Sequence, residues 1–228
     1  MNFIQLVDRL SMECGEAGNG PLTVVGQTGM AGNLVNWINM AWTDIQSARQ
    51  DWDFLRRFAY CTTVAGQPSY TPNGTVGFNL PDFGRWDIQT FRNFNTSIGV
   101  TSEIFMDYMD YQAWWNTYNF NATRNVQTRP IAFAIGANKA ILLGPIPADG
   151  YTVTGQYFAV PSSLAADTDT PSMPSQFHMG VVYKAMMYYG LFHAATEVYD
   201  RGDAEFSKIM SRLAADHLPT ASFAGTLA

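Results

Sequence analysis

The spacing of apolar residues at the start of the chain predicts two amphipathic helices. Asn2 can cap the first helix, and the glycine-rich stretch that begins at Gly15 ends it. The apolar positions of this helix are Phe3, Leu6, Val7, Leu10 and Cys14. A second, longer helix follows a turn-rich stretch, because its apolar residues alternate steps of four and three. These residues are Leu34, Ile38, Ala41, Ile45, Ala48 and Trp52.

The pattern near the end of the chain also predicts helices. After the polar loop 161–174, apolar residues keep helical spacing through residues 177–199. Gly202 is expected to break this helix, and Asp203 can cap the next one. The last helix is expected to end at Pro219.

The middle of the chain shows the alternation typical of β-strands. From Phe58 onward, β-prone residues are separated at short intervals by Gly, Pro and Asn. Residues 86–94 and 151–160 alternate apolar and polar side chains, as half-buried antiparallel strands do. Residues 107–119 predict a short helix, because their aromatic side chains recur at steps of three and four. We expect the strands to form a meander.

These elements predict an α+β fold, in which a helical bundle formed by both chain ends carries an inserted antiparallel β-rich region. The helical bundle comprises residues 1–56 and 174–218. The β-rich insertion, with its short aromatic helix, comprises residues 57–173. Residues 219–228 show no periodicity and are expected to form a flexible tail.

The charge balance argues against direct nucleic-acid binding. The chain has 13 basic and 19 acidic residues, a net charge of -6, and no window concentrates Lys and Arg. An acidic surface is nevertheless compatible with a conduit through which DNA slides, because phosphates are repelled from its wall. Aromatic and charged residues each make up 14% of the chain, a balance that favours subunit interfaces or a densely filled core.

Two further features concern the compartment. The amino end lacks the pattern of a signal peptide, and no window approaches eighteen apolar residues, so no membrane association is expected. Cys14 and Cys61 lack C-x-x-C spacing and are expected to be reduced core thiols, which favours a reducing compartment.

No catalytic, cofactor-binding or metal-binding residues are predicted. The chain has no G-x-S-x-G motif, and its three histidines lack the i, i+4 spacing of a metal site. Pairs of nearby acids are a possible basis for glycoside hydrolysis, although such pairs are common in loops. The candidate pairs are Asp107 with Asp110 and Asp167 with Asp169.

Three segments combine apolar periodicity and turn residues in the order found in one known family. The first contains NFIQLVDRLSMECG and, after a spacer, LVNWINMAWTDIQSARQDWDFLRR. The second is ILLGPIPADGYTVTGQYFAVPSSLAADTDTPSMP, and the third is the helix pair from Phe177 to Leu218. With these segments the chain resembles the head-tail connector (adaptor) proteins of tailed bacteriophages.

The resemblance implies a structural virion protein of the neck, without enzymatic activity and without a cofactor. It implies a homo-oligomeric ring of twelve copies docked below the portal protein and joined on its other side to tail or neck proteins. DNA would pass through the central channel without sequence-specific binding, and assembly would take place in the cytoplasm of the bacterial host.

The surfaces that meet these partners are expected at opposite ends of the subunit. The carboxyl-terminal tail is expected to become ordered on the portal, since its apolar residues can act as anchors. These portal-docking residues are Leu218, Pro219, Phe223 and Leu227. The β-rich insertion is expected to face the tail with exposed aromatic residues. These tail-side residues are Tyr70, Phe78, Phe83 and Trp86.

Two other classes of function remain open at this point. The aromatic cluster from Tyr108 to Tyr118 is also suited to stacking on sugars, as in a carbohydrate- or receptor-binding β module of a phage tail. The acid pairs leave open a small glycosidase-like enzyme.

Overall fold

The computed structural model describes residues 1–16, 20–74 and 76–218. The chain divides into two compact units. A helical unit contains residues 1–55 and 161–228, and a β unit contains residues 56–160. Helices at both chain ends and a largely antiparallel β-region between them confirm the predicted α+β class.

The described residues form five α-helices and ten strands. The helices are α1 (Phe3–Glu13), α2 (Gly29–Ser47), α3 (Tyr111–Tyr118), α4 (Met179–His193) and α5 (Thr196–His217). The strands are β1 (Arg56–Thr62), β2 (Ser69–Tyr70), β3 (Phe83–Asn95), β4 (Ile104–Phe105), β5 (Asp107–Tyr108), β6 (Gln127–Thr128), β7 (Ala132–Ile135), β8 (Ile141–Gly144), β9 (Ile146–Pro147) and β10 (Tyr151–Ala159).

The start of α1 is held by a capping box. The side chain of Asn2 accepts a hydrogen bond from the Gln5 backbone N–H at 3.1 Å, and the Gln5 side chain accepts one from the Asn2 N–H at 3.0 Å. Two backbone donors that the helix itself leaves without partners are thereby satisfied. The predicted cap at Asn2 is confirmed.

Helix α4 lies at the centre of the helical unit, because it contacts α1, α2 and α5. Four of its side chains are completely buried, namely Val181, Val182, Ala185 and Met186. From α2, Trp42 and Ile45 are equally buried, and the indole N–H of Trp52 donates to the carbonyl oxygen of Ile45 at 2.9 Å. Four positions of the predicted stripe, Leu34, Ile38, Ala41 and Ile45, therefore form the core-facing side of α2. The last two do not, because Ala48 is exposed and Trp52 lies beyond the end of the helix.

The turn between α4 and α5 differs from the prediction. The chain leaves α4 at Ala194, which has a left-handed conformation (φ 53°), whereas Gly202 lies inside α5 and is buried. A Cβ atom at Gly202 would lie 2.9 Å from the carbonyl oxygen of Tyr183 and 3.2 Å from the Cβ of Met186. Gly202 therefore permits the close approach of the two helices, and the prediction that it breaks a helix is wrong. From the sequence alone, a glycine at this position is compatible with a helix break and with a close contact between two helices.

The loop 161–173 groups with the helices, whereas the sequence prediction assigned it to the β-rich insertion. The Asn39 side-chain amide exchanges two hydrogen bonds with the Leu164 backbone, at 2.8 and 3.0 Å. The amide of Gln46 does the same with Ser162, at 2.8 and 3.0 Å. Two polar side chains of α2 thus form the backbone hydrogen bonds that a neighbouring strand would otherwise supply to this segment. Hydrophobic periodicity does not predict this role.

The β unit contains two four-stranded sheets and a separate strand pair. The first sheet has the order β1-β10-β3-β4, the second has the order β2-β8-β7-β5, and β6 pairs with β9. The predicted meander is wrong, because β10 lies between β1 and β3 although it comes last in the chain. The β5-β7 and β6-β9 pairs are parallel, and the other strand pairs are antiparallel.

Removing the close approach at Gly202 should measurably weaken the helical unit. We expect Gly202→Ala to lower the free energy of unfolding by about 1–3 kcal/mol, because the added methyl group overpacks the α4-α5 contact. Urea denaturation gives this value, and Ser207→Ala on the exposed side of α5 is the matched control. A gain in stability of about 1 kcal/mol, as helix propensity alone predicts, would contradict the contact.

Stability should also depend on the protonation of His178. Its side chain is 1% exposed, its Nε2 donates to the carbonyl oxygen of Met173 at 3.0 Å, and burial lowers its pKa. The unfolded chain therefore takes up the proton first, so the free energy of unfolding should fall as the pH drops below about 6.5. Denaturation midpoints from pH 8 to pH 5 test this. His178→Gln should reduce the change of the midpoint with pH. An unchanged pH dependence in this variant would exclude His178 as its source.

Candidate assembly surfaces

Three of the four acids proposed as catalytic pairs hold backbone groups in place. Asp110 caps α3 by accepting a hydrogen bond from the Gln112 N–H at 2.9 Å. Asp167 accepts from the Val24 N–H at 2.6 Å and from the Thr23 hydroxyl at 3.1 Å. These carboxylates act as acceptors that order a helix end and a loop.

Asp169 has a similar role. Its carboxylate accepts hydrogen bonds from the backbone N–H groups of Ala165 and Ala166, at 2.7 and 2.9 Å, and these bonds lower its pKa. Its carbonyl oxygen accepts from the Phe3 N–H at 2.7 Å, at the start of α1. The fourth candidate, Asp107, is an exposed residue of β5.

Within residues 1–16, 20–74 and 76–218, no three His, Cys, Asp or Glu side chains come together as a metal site. Both cysteines are free thiols. Burial raises the pKa of the Cys61 thiol to about 12 and is the largest of the effects that raise the pKa of Cys14 to about 12. Both therefore remain protonated and poorly nucleophilic at neutral pH.

Three of the four aromatic residues expected to face the tail are buried. Tyr70, Phe78 and Trp86 are 0%, 5% and 4% exposed, and Phe83 packs on Trp86 with ring centroids 4.4 Å apart. The prediction that this set is exposed is wrong, because these rings form the core of the β unit together with Phe91. The presence of aromatic residues in a strand does not show which of its faces is buried unless the order of strands in the sheet is known.

Helix α3 presents the opposite case. Trp114 is 6% exposed, whereas Tyr111 and Trp115 are each more than two-fifths exposed, with ring centroids 5.9 Å apart. The aromatic cluster is therefore divided between the buried Trp114 and three exposed rings, since Tyr108 is also 45% exposed. Tyr111 and Trp115 are four residues apart on α3, and this spacing puts them on the same helix face.

Among the described residues, the most exposed aromatic side chains lie on β1. Phe58 and Tyr60 are 82% and 72% exposed, while the alternate residues Ala59 and Cys61 are buried. This alternation is the ordinary pattern of a strand with one buried face. The sequence predicts a strand here, but its pattern does not reveal that the larger side chains take the outer positions.

A groove lies on each side of these two rings. One of about 340 Å³ is lined by Phe58, Tyr60 and the segment 77–80. The other, of about 370 Å³, is lined by the same two rings with Arg92 of β3 and Gln156 of β10. Phe58 and Tyr60 therefore form a ridge between two grooves, which we call the β1 ridge.

The helical unit has an exposed apolar tip at the end of α4. Leu191 and Phe192 are 69% and 62% exposed, and the ring of Phe192 packs on Trp37 of α2 with centroids 5.5 Å apart. None of the described helices is long and apolar enough to cross a lipid bilayer.

Of the residues predicted to dock on the portal, the described part of the chain includes Leu218. It follows α5 directly, is half-buried, and donates its backbone N–H to the Ala214 carbonyl oxygen at 3.3 Å. Pro219, Phe223 and Leu227 lie outside the described residues, as does the whole segment 219–228 for which a flexible tail was expected.

Charge is distributed unequally between the two units. Residues 1–55 and 161–228 contain 13 acidic and 6 basic residues, a net charge of −7. Residues 56–160 contain 6 acidic and 7 basic residues, a net charge of +1. The acidity of the chain is thus a property of the helical unit alone.

A family model described as SU10 adaptor protein matches residues 1–224, nearly the whole chain. A search among curated proteins finds no match.

The two classes of aromatic residue in the β unit should respond differently to mutation. We expect Trp86→Ala to lower the free energy of unfolding by about 3–5 kcal/mol, because it empties a core position and removes the indole hydrogen bond to Lys139. Phe58→Ser should change it by less than about 1 kcal/mol, because the ring is already in water. Urea denaturation of both variants tests this. Equal losses would contradict the assignment of Trp86 to the core and Phe58 to the surface.

Proposed function

The chain belongs to the SU10 adaptor protein family, and we propose that it forms the ring that joins the packaged head of a tailed bacteriophage to its tail. Membership makes it a structural phage protein of the head-tail junction, in a family that is not a family of enzymes. The proposal goes further by assigning twelve copies to the ring, the portal protein to one side and a tail or neck protein to the other. Assembly takes place in the cytoplasm of the bacterial host.

The family match over residues 1–224 is the observation that carries this proposal. It includes both units and most of the carboxyl-terminal segment. Three of the four acids that were candidates for glycoside hydrolysis are engaged with backbone groups, and we do not propose an enzymatic activity.

In this proposal the carboxyl-terminal segment docks on the portal. Leu218, at the end of α5, positions the segment, and its apolar side chains insert between portal subunits. These side chains are Pro219, Phe223 and Leu227. The segment 219–228 has no charged side chain, so its docking does not require the desolvation of one.

The net charge of −7 on the helical unit supports a role in guiding DNA. A wall with this charge repels phosphates and gives no counterion release on contact, so DNA moves past it without binding. The channel therefore passes the genome without reading its sequence.

The β unit supplies the contacts to the tail side. The residues first proposed for this surface, Tyr70, Phe78 and Trp86, act in its core, with Phe83 packed beside them. Their place at the surface is taken by Tyr111 and Trp115 of α3, which are exposed as a pair.

The same pair favours a second candidate function, the binding of a carbohydrate receptor, because exposed aromatic rings stack on sugars. Glycan-array binding that is lost in Trp115→Ala would support it. Trp114 is unsuitable for this test, because its burial makes any substitution destabilising.

The carboxyl-terminal segment gives the direct test of the proposed function. We expect the full chain to associate with the portal protein of its own phage as twelve copies per portal ring, measured by native mass spectrometry. Deletion of residues 219–228 should abolish this association and leave the urea midpoint unchanged, because the described residues 1–16, 20–74 and 76–218 already form a core in each unit.

A point variant and a control make the test specific. Phe223→Ser with Leu227→Ser should reproduce the deletion, whereas Thr220→Ser with Thr226→Ser should bind as the wild type does. Normal association of the truncated chain would refute docking through this segment. A full chain that never associates with portal protein would refute the proposed function itself.

A further inference from the structure

Strand β1 forms one edge of its sheet. All seven of its residues pair with β10, from Arg56 opposite Phe158 to Thr62 opposite Thr152. Among the described residues no other strand pairs with β1. Natural proteins usually shorten, charge or cover such an edge, because its open backbone groups attract other chains.

The side chains of this edge increase its tendency to associate. Phe58 and Tyr60 stand out from the strand with more than two-thirds of their surface in water, between the two grooves of the β1 ridge. Large exposed rings at a sheet edge are typical of an interface rather than of a free surface. A protruding ridge requires a partner surface that can receive it.

We propose that the β1 ridge is the docking surface for the acidic helical unit of a second copy of this chain. The proposal rests on the proposed ring, and it names the contact between neighbouring copies. The β unit of one copy then meets the helical unit of the next.

Charge supports this choice of occupant. The helical unit carries a net charge of −7, whereas the β unit carries +1. Arg92, which pairs with Glu103 at 3.6 Å and is 45% exposed, lines one of the two grooves. Contact between a helical unit and a β unit is therefore electrostatically favoured over contact between two helical units.

Symmetry distinguishes this contact from direct pairing of β1 with the β1 strand of a second copy. Two copies that pair their β1 strands with each other form a two-fold interface, which closes as a dimer. A contact between two different surfaces repeats from copy to copy and closes as a ring when the rotation allows it. Only this second kind of contact is consistent with a cyclic adaptor.

Photocrosslinking from the ridge identifies its occupant. Tyr60 is replaced by the aromatic photocrosslinker p-benzoylphenylalanine in the full chain, and portal-bound assemblies made from ¹⁵N-labelled and unlabelled copies are irradiated. We expect crosslinks between copies, with the second site at residues 1–55 or 161–228. Overturning results are a second site at residues 56–160, a crosslink to a different protein, or no crosslink between chains.

The strength of the contact is tested by removing the rings. We expect Phe58→Ser with Tyr60→Ser to weaken association between copies at least tenfold, because two aromatic rings lose their burial. Ile98→Ser with Val100→Ser is the matched control, since these residues are similarly exposed in the same unit. The wild-type association should also weaken as salt is raised from 50 to 500 mM. Equal effects of the two double variants would overturn the proposal.

Failure of this inference can be told apart from failure of the proposed function. If the chain occupies the portal but crosslinks from Tyr60 miss the helical unit, the ring is held by another surface. If the full chain does not bind portal protein at all, the proposed function fails before the β1 ridge is tested.

Discussion

The pairing of β1 with β10 is the interaction on which the β unit depends. These strands are the first and last elements of the unit, and seven antiparallel residue pairs hold them together. The two points where the chain enters and leaves the β unit are therefore adjacent. This closure allows 105 residues, from Arg56 to Val160, to form a core of their own between α2 and α4. It also leaves β1 at the edge of its sheet.

Local features of the fold could be predicted from the sequence. Asn2 has the residue type and the partner, Gln5, that a capping box requires, and the apolar stripe of α2 follows from its own spacing. Long-range features could not be predicted. The sequence around Gly202 predicts a helix break, and only its contact with α4 shows the actual role of this glycine. The position of β10 between β1 and β3 depends on contacts between residues more than fifty positions apart in the chain.

The assembly surfaces show the same limit. Tyr70 and Trp86 are aromatic residues of strands, as Phe58 and Tyr60 are, but the first two are buried and the second two exposed. The unequal charge of the two units could be calculated only once the units were known, because acidic residues from both chain ends belong to the same unit. An adaptor that presents an acidic helical unit and an aromatic ridge has two unlike surfaces, as a cyclic assembly requires.

The position of the chain in the intact particle tests the account most directly. An electron cryo-microscopy map of the portal vertex of the assembled phage, at a resolution that traces side chains, should show twelve copies of this chain in a ring between portal and tail. The acidic helical unit and the β unit should both be traceable in that ring. Density for this chain only in another part of the particle, such as a tail fibre, would contradict the account.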